Sequence, residues 1–322
     1  MAWPNNTRLY NYDLGNKSRP VGGGVVSWDL PKVGILAGLQ LICTGSVAGT
    51  LSAPNAHGMA SIISLVRLTV NSGIDLINLT GAQYHYLLRD SLETLIDPVN
   101  QSNARSAVTV TTFDISMWLP LAINSRDPQG LVMLQNEQTQ LNLSVEFLAD
   151  ASVATGATVT TTAVQPFLDL FTVPVRDEDL PPFNWVQSIT GETLAVSGAG
   201  DVTYNWPRAN QYLQTIHGLG FGASGTDAWS KTVLRVQQNQ LLIPNMTVAL
   251  ADKQFSRYRG RTRPAGVIPI DLFSSSGLGN YGSARDAIDT SELTDLATVI
   301  TATGAGTLHT VKRQLVPIAI PQ

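Results

Sequence analysis

Short matches recur in the same order in the two halves of this chain, and that repeat restricts the fold more than any other feature. Val26-Ser-Trp-Asp-Leu-Pro-Lys32 answers to Val202-Thr-Tyr-Asn-Trp-Pro-Arg208. Further on, Leu39-Gln40-x-Ile42 answers to Leu213-Gln214-x-Ile216, Leu65-Val-Arg67-Leu68 to Val233-Leu-Arg235-Val236, and Asn78-Leu-Thr80 to Asn245-Met-Thr247. The series continues with Leu119-Pro120-Leu121 and Ile268-Pro269-Ile270, then Arg126-Asp127 and Arg285-Asp286, and ends with Val173-Pro174-Val175 and Val316-Pro317-Ile318. Each match is short, and their colinearity is the signal. The spacing between partners drifts, as loop insertions and deletions would make it.

Two copies of one domain follow, at 25–176 and 177–322, with an N-terminal arm at 1–24. The stretch Arg176-Asp-Glu-Asp-Leu-Pro-Pro-Phe183 between the copies is acidic and carries a proline pair, the character of a linker. The arm shows no clear period, and Gly22-Gly-Gly24 gives it a hinge. Its anchors are read as Trp3, Arg8, Tyr10 and Tyr12.

Within each copy the chain reads as β. Leu141, Leu143, Val145 and Phe147 alternate with Asn142, Ser144 and Glu146, the period of a strand with one buried face. Thr and Val crowd 107–113 and 153–164, and Gly and Pro punctuate at short intervals. Many short strands between turn signals fit a sandwich or barrel. Two helices are expected in loops: Gly81 to Ile96, and Asp289 to Thr301, where Asp289 and Glu292 have the spacing of a capping box.

Two β-sandwich copies in 322 residues resemble the double jelly-roll major capsid proteins of tailless, membrane-containing icosahedral phages and related viruses. Trp118 to Leu131 and the alternating strand to Phe147 resemble the late strands of a first jelly roll. Arg263 to Phe273 and Arg285 to Thr290 resemble their counterpart in a second. The resemblance spans nearly the whole chain and rests on soft patterns without a catalytic signature. It implies an all-β fold of two tandem eight-stranded jelly-roll domains with short helices in loops. It also implies a homotrimer forming a pseudo-hexameric capsomer, which tiles an icosahedral shell around an internal membrane. Partners would be copies of itself and neighbouring capsomers, minor capsid and penton proteins and the viral membrane. The protein would reside in the virion, and in the host cytoplasm during assembly. Deleting residues 1–20 is expected to leave soluble trimers but impair particle assembly. The alternatives are a two-jelly-roll glycan-cleaving hydrolase, in which two carboxylates would suffice, and a minor capsid or spike-base protein.

Composition fits a shell subunit. Charged residues are 14% of the chain, against roughly 25% in an average soluble domain, and charge is depleted at interface cores. The net charge of −4 gives no sign of nucleic-acid binding, and no specific nucleic-acid site is expected. The single cysteine, Cys43, excludes a disulfide framework and reads as a buried thiol. Val33 to Val66 carries no Asp, Glu, Lys or Arg, but its polar interruptions and glycines favour two strands and a loop over a membrane span. No second His or Cys stands at ligand spacing from His57, His85, His217 or His309. His85 reads as a packing residue. Gly220 to Gly225 fits G-x-G-x-x-G, yet heads into a strand rather than a helix, so it reads as a loop. Acidic groups cluster at Asp177, Glu178 and Asp179 and along Asp286, Asp289, Glu292 and Asp295, and read as solvated faces. No catalytic residue, metal site or cofactor is expected; structural Ca²⁺ between carboxylates is conceivable but unsupported. Arg257, Arg259, Arg261 and Arg263 form the densest basic run. In an extended chain all four share one face. They would then meet phosphate or lipid headgroups, or, in the favoured reading, carboxylates of a neighbouring subunit.

Overall fold

The computed structural model of the chain describes residues 7–48, 52–54, 57–71, 73–91, 112–123, 130–135, 140–152, 154–156, 158–176, 180, 185–208, 210–219, 227–236, 240–271, 287–291, 293 and 295–317. The first half contains β1 (Leu9–Asp13), β2 (Lys17–Ser18), β3 (Gly24–Asp29), β4 (Ile35–Ala48), β5 (Ser52–Pro54), β6 (Ile63–Val70), β7 (Ile74–Leu79), α1 (Gly81–Ser91), β8 (Thr112–Pro120), β9 (Val132–Met133), β10 (Leu141–Phe147), β11 (Ala154–Thr155) and β12 (Thr158–Phe171). The second contains β13 (Trp185–Val196), β14 (Gly200–Asn205), β15 (Gln211–Gly218), β16 (Trp229–Val236), β17 (Gln240–Thr247), α2 (Val248–Arg259), β18 (Val267–Asp271), β19 (Ile288–Asp289), β20 (Leu296–Ala302) and β21 (Gly306–Pro317).

Both halves are wired alike. In the first, one sheet runs β1-β12-β4-β8 and the other contains β3-β10-β6-β7. Counting the principal strands in chain order, these are sheets 1-8-3-6 and 2-7-4-5. In the second, β13-β21-β15-β18 and β14-β20-β16-β17 give the same two orders. Eight strands in two sheets, closed by long crossings between first and last, make a jelly roll. Each half is therefore one jelly roll. The small pairs match too: β9 pairs β4, and β19 pairs β15.

The N-terminal segment is not an arm that leaves the roll. β1 and β2 pair antiparallel with β12 and supply the first strand of the 1-8-3-6 sheet, as β13 does beside β21. Its lack of visible alternation follows from its position at a sheet edge, where Leu9 and Tyr12 are both exposed. The three glycines form a tight turn rather than a loose hinge: all have positive φ, and the Gly23 N–H donates to the Pro20 carbonyl (3.2 Å). A Cβ at Gly23 would stand 2.9 Å from the Phe147 carbonyl oxygen. Deleting residues 1–20 would thus remove a strand, and loss of folding stability in a urea titration is expected in place of the isolated assembly defect.

By packing, the described residues fall into two units. One holds those up to Tyr84, those from 112 to Thr190 and those from Leu315 on; the other holds His85–Ser91 and Gly191–Gln314. The division falls inside α1, β13 and β21. By strand order the passage between rolls lies between Phe171 and Trp185, the interval that contains 176/177.

Cross-strand register tests the repeat residue by residue. In the first unit one rung runs Val26–Val145–Val66–Leu79. In the second, Val202–Ile300–Thr232–Met246 is its equivalent. This rung puts Trp28 in register with Tyr204 and Thr80 with Thr247. The Arg67 and Arg235 match is displaced, because Val66 corresponds to Thr232 and so Arg67 to Val233. A second marker lies at the start of β4 and β15. The Leu134 N–H donates to the Gly34 carbonyl as the Thr290 N–H does to that of Asn210. Ile35 faces Met133 as Gln211 faces Asp289. Leu39 therefore corresponds to Thr215, not Leu213. Since Gly38 faces Pro120 and Gln214 faces Asp271, Pro120 corresponds to Asp271, not Pro269.

Both helices begin at equivalent places, and a threonine caps each. Thr80 Oγ1 accepts from the Gln83 N–H (3.2 Å) while the Thr80 N–H donates to Gln83 Oε1 (2.9 Å), a reciprocal capping box. Thr247 Oγ1 accepts from the Leu250 N–H (3.3 Å). The helix expected over Asp289–Thr301 is absent: β19 and β20 lie there instead. Asp289 Oδ1 accepts from the Ser291 N–H (2.9 Å) as a turn, and β-branched Thr298, Val299 and Ile300 pair with β16. The first residue of α1 tolerates no side chain, because a Cβ at Gly81 would lie 1.8 Å from the Ala60 carbonyl oxygen. Gly81→Ala is expected to lower stability by about 1–3 kcal/mol, measurable as a shifted urea midpoint; an unchanged midpoint would show that the two backbones part freely.

Candidate functional site

The arginine run is broken by secondary structure. Arg257 and Arg259 complete α2, and Gly260 ends the helix at φ 67 with its N–H donating to the Ser256 carbonyl (3.0 Å). The four arginines therefore do not share one extended face. Arg257 is exposed, and Arg261 is half-buried with its guanidinium 5.0 Å from the Phe255 ring centroid. The side chain of Arg259 lies outside the described residues.

Arg263 points inward. Its side chain is 2% exposed, and every donor group of the guanidinium is engaged. Nε donates to Asp252 Oδ1 (2.8 Å), Nη2 to Asp227 Oδ2 (2.8 Å), and Nη1 to Asp227 Oδ1 (3.0 Å) and to the carbonyls of Pro264 (3.1 Å) and Val267 (2.8 Å). It lies 5.2 Å from the Trp229 ring centroid. Asp227 also accepts from the Gly266 N–H (2.6 Å) and the Trp229 indole (3.1 Å). Burial alone would raise the Asp227 pKa. The hydrogen bonds and charge of Arg263, with those two N–H donors, outweigh it and hold the carboxyl below its ordinary range. This fork joins the approach to β16, helix α2 and the entry to β18, a role within the fold rather than a phosphate contact.

Of the N-terminal anchors, Trp3 lies outside the described residues. Arg8 is held through its backbone: its N–H donates to Thr172 Oγ1 (2.9 Å), and its carbonyl accepts from the Thr172 N–H (3.0 Å). Tyr10 is half-buried opposite Leu170, and Tyr12 is exposed opposite Leu168.

Sequence reasoning did not single out the outward face of the β1-β12-β4-β8 sheet. Alternation turns Thr112, Asp114, Ser116 and Trp118 of β8 outward while Phe113, Ile115, Met117 and Leu119 enter the core. Trp118 is 57% exposed, with its indole N–H donating to Asp169 Oδ2 (3.0 Å); Asp169 Oδ1 accepts from Asn11 Nδ2 (2.6 Å). Opposite Trp118 stands Gln40, then Ile42 opposite Ser116 and Thr44 opposite Asp114. The strands β4, β8 and β12 carry Asp114 and Asp169 but no Lys or Arg. The face is thus mostly polar, with Trp118 its one exposed large apolar side chain among the described residues of these strands. The outer edge of β8 is partly closed, because Tyr84 Oη donates to the Ser116 carbonyl (3.0 Å) and accepts from the Trp118 N–H (3.1 Å).

The second unit has a polar interior. His217 is fully buried, its Nδ1 shares a hydrogen bond with Thr310 Oγ1 (2.9 Å), and its Nε2 has no partner. Burial drives its pKa down to about 3. Tyr204 meets it edge-on, ring centroids 5.4 Å apart, and donates to Glu192 Oε2 (2.7 Å). Glu192 also receives the Lys312 ammonium. Cys43 is free and buried; burial first, and the Asp114 charge second, push its thiol up to about 12. His85 is buried beside Tyr86.

The glycine motif at 220–225, the acidic run at 177–179, and Asp286 and Glu292 lie outside the described residues. Among the described residues, no group of three His, Cys, Asp or Glu side chains could hold a metal. No helix there is long and apolar enough to cross a membrane; the uncharged segment from Val33 lies largely in β4 and β6.

By sequence, the chain matches no protein-family model and no curated protein. By structure, it has the fold of the viral double jelly-roll capsid proteins. The MCP of STIV, Sulfolobus turreted icosahedral virus, is similar at TM-score 0.75 and 11% identity, over 96% of this chain and 97% of that one. The capsid of the PBCV-1 virus gives TM-score 0.69 at 10% identity, over 98% and 97%. Major capsid protein P2 of bacteriophage PM2 gives 0.59 at 10% identity, over 97% and 98%.

Proposed function

We propose that this protein is the major shell subunit of a tailless icosahedral virus, with a structural and non-catalytic role. One observation carries the reading: two equivalently wired jelly rolls fill the chain, matching the STIV MCP over 96% of its length and 97% of that protein's. Two similar but distinct domains let three copies imitate sixfold symmetry, so a trimer can tile a flat facet, and many weak contacts then sum to a stable shell. The trimer meets its neighbours, minor capsid and penton proteins, and a lipid vesicle beneath the shell. It assembles in the host cytoplasm and resides in the virion. The capsid proteins of STIV, PBCV-1 and PM2 named above support the shell reading and not the hydrolase alternative. Negative-stain microscopy with lipid analysis of purified particles tests the proposal. Threefold capsomers and co-purifying lipid are expected. A protein that stays monomeric at high concentration, with particles lacking threefold capsomers, would contradict it.

A further inference from the structure

α1 and α2 are equivalent helices, each starting directly after a capping threonine that follows an equivalent strand. The sixth residue after the cap is Tyr86 in α1 (80 + 6) and Lys253 in α2 (247 + 6). Tyr86 is 2% exposed and covers the outward side of the β18-β15-β21 sheet in the second unit. Its ring centroid lies 5.5 Å from that of His309, and a Cβ at Gly218 would come within 2.4 Å of the ring. Gly218 faces outward because its neighbour His217 pairs with Ile268, a residue of the core.

The corresponding side of α2 is exposed. Ala251 and Phe255 are buried, but Leu250 is 41% exposed, and Lys253 and Arg257 are exposed along the same side of the helix. The sheet face equivalent to the one under Tyr86 is partly open: Thr44, Asp114 and Trp118 are exposed, and Gln40, Ile42 and Ser116 are half-buried. Counting from the equivalent Gly34 and Asn210, Gly218 corresponds to Ile42 (34 + 8, 210 + 8). Ile42 lies between the Gln40–Trp118 and Thr44–Asp114 rungs described above. Among the described residues, α2 thus presents an exposed side and the β4–β8 face carries no helix equivalent to α1.

We infer that α2 of one copy docks on the outward β4–β8 face of another, with Lys253 over Ile42 between Asp114 and Trp118. The contact repeats between copies what Tyr86 makes within the second unit, and it rests on the shell reading above. It is heterologous, so it closes into a ring if the rotation between copies permits. Charge favours it. Where α1 presents Tyr86, α2 presents a cation, and the face it meets carries Asp114 on β8 and Asp169 on the adjoining β12, with no Lys or Arg in β4, β8 or β12. The stem of Lys253 can lie on Ile42 and Trp118 while its ammonium reaches Asp114.

Sedimentation velocity on the full chain tests this with Lys253→Glu, Asp114→Lys and the two combined, and circular dichroism checks that each variant folds. Each single reversal is expected to weaken self-association about tenfold or more, and the combination to restore most of it. Carbodiimide coupling of a mixture of ¹⁴N- and ¹⁵N-labelled copies should join Lys253 of one isotope to Asp114 of the other. Reversals without effect, losses that the combination fails to restore, or links only within a single isotope would overturn the docking while leaving shell assembly intact. A wild-type chain that stays monomeric at high concentration would overturn both.

Discussion

Arg263→Ala is expected to lower the stability of the chain by about 3–5 kcal/mol, because it strands a half-buried carboxylate and two backbone carbonyls. The guanidinium is 2% exposed, whereas Asp227 and Asp252 are 21% and 47% exposed, so Asp252 can turn to water more easily than Asp227. Most of the loss should therefore come from Asp227, which would keep its Gly266 and Trp229 donors but lose the opposite charge. Arg263→Lys should recover little, since one ammonium cannot span two carboxylates and two carbonyls with the fixed fork that Arg provides. Urea unfolding at neutral pH measures both variants. A loss below about 1 kcal/mol for Arg263→Ala would show that the fork is incidental. Because Arg263 fastens Asp252 of α2 to the segment before β16, Arg263→Lys should also weaken self-association in proportion to any loosening of that helix.

The repeat and the β alternation were legible because each rests on residue type at short range. The all-β jelly-roll architecture follows from the repeat together with the resemblance. Register was not legible, and the failures share one form. Leu39 matches Thr215 rather than Leu213, and Arg67 matches Val233 rather than Arg235. A slip of two residues keeps every side chain on its proper face, so composition along a strand cannot detect it, whereas a slip of one would turn the core outward. Only cross-strand bonds, such as those fixing Gly34 and Asn210 to their partners, resolve it.

The helix beginning at Gly81 was legible; the one read from the capping-box spacing of Asp289 and Glu292 was not there, because the Asp289 carboxylate makes a turn. The helix at Val248–Arg259 went unread although Thr247 precedes it and Gly260 follows it, a cap and a stop that were both visible. With that helix assigned, the basic run could not have been taken as extended. The outward Trp118 face had a signal as well: an aromatic residue in the polar phase of the alternating β8. Arg263, in contrast, could not be told from its neighbours by sequence. What separates it is a pair of carboxylates from positions 227 and 252, far apart in the chain, that meet over its buried guanidinium.

Acid should destabilise the protein through His217 before its carboxylates begin to titrate. In the folded chain burial holds the imidazole at about 3, against roughly 6.5 when unfolded. The sign follows from proton binding. Below pH 6.5 the unfolded chain takes up a proton that the folded chain refuses, so stability is full above 6.5 and falls as pH drops toward 3. The slope is about 1.4 kcal/mol per pH unit for a single group well inside that window. Burial also lowers the pKa of His309, which adds in the same direction. Between about pH 6 and 5 unfolded carboxylates remain ionised, so the depressed pKa values of Glu192 and Asp227 contribute little there. His217→Gln keeps a side chain able to bond Thr310 and removes the titration. Urea midpoints of wild type and His217→Gln, compared from pH 7.5 to 4.5, should therefore converge as pH falls, the wild type losing stability faster by about 1.4 kcal/mol per unit below 6. Parallel curves would mean that water reaches the imidazole, and that its unpartnered Nε2 is bonded in solution.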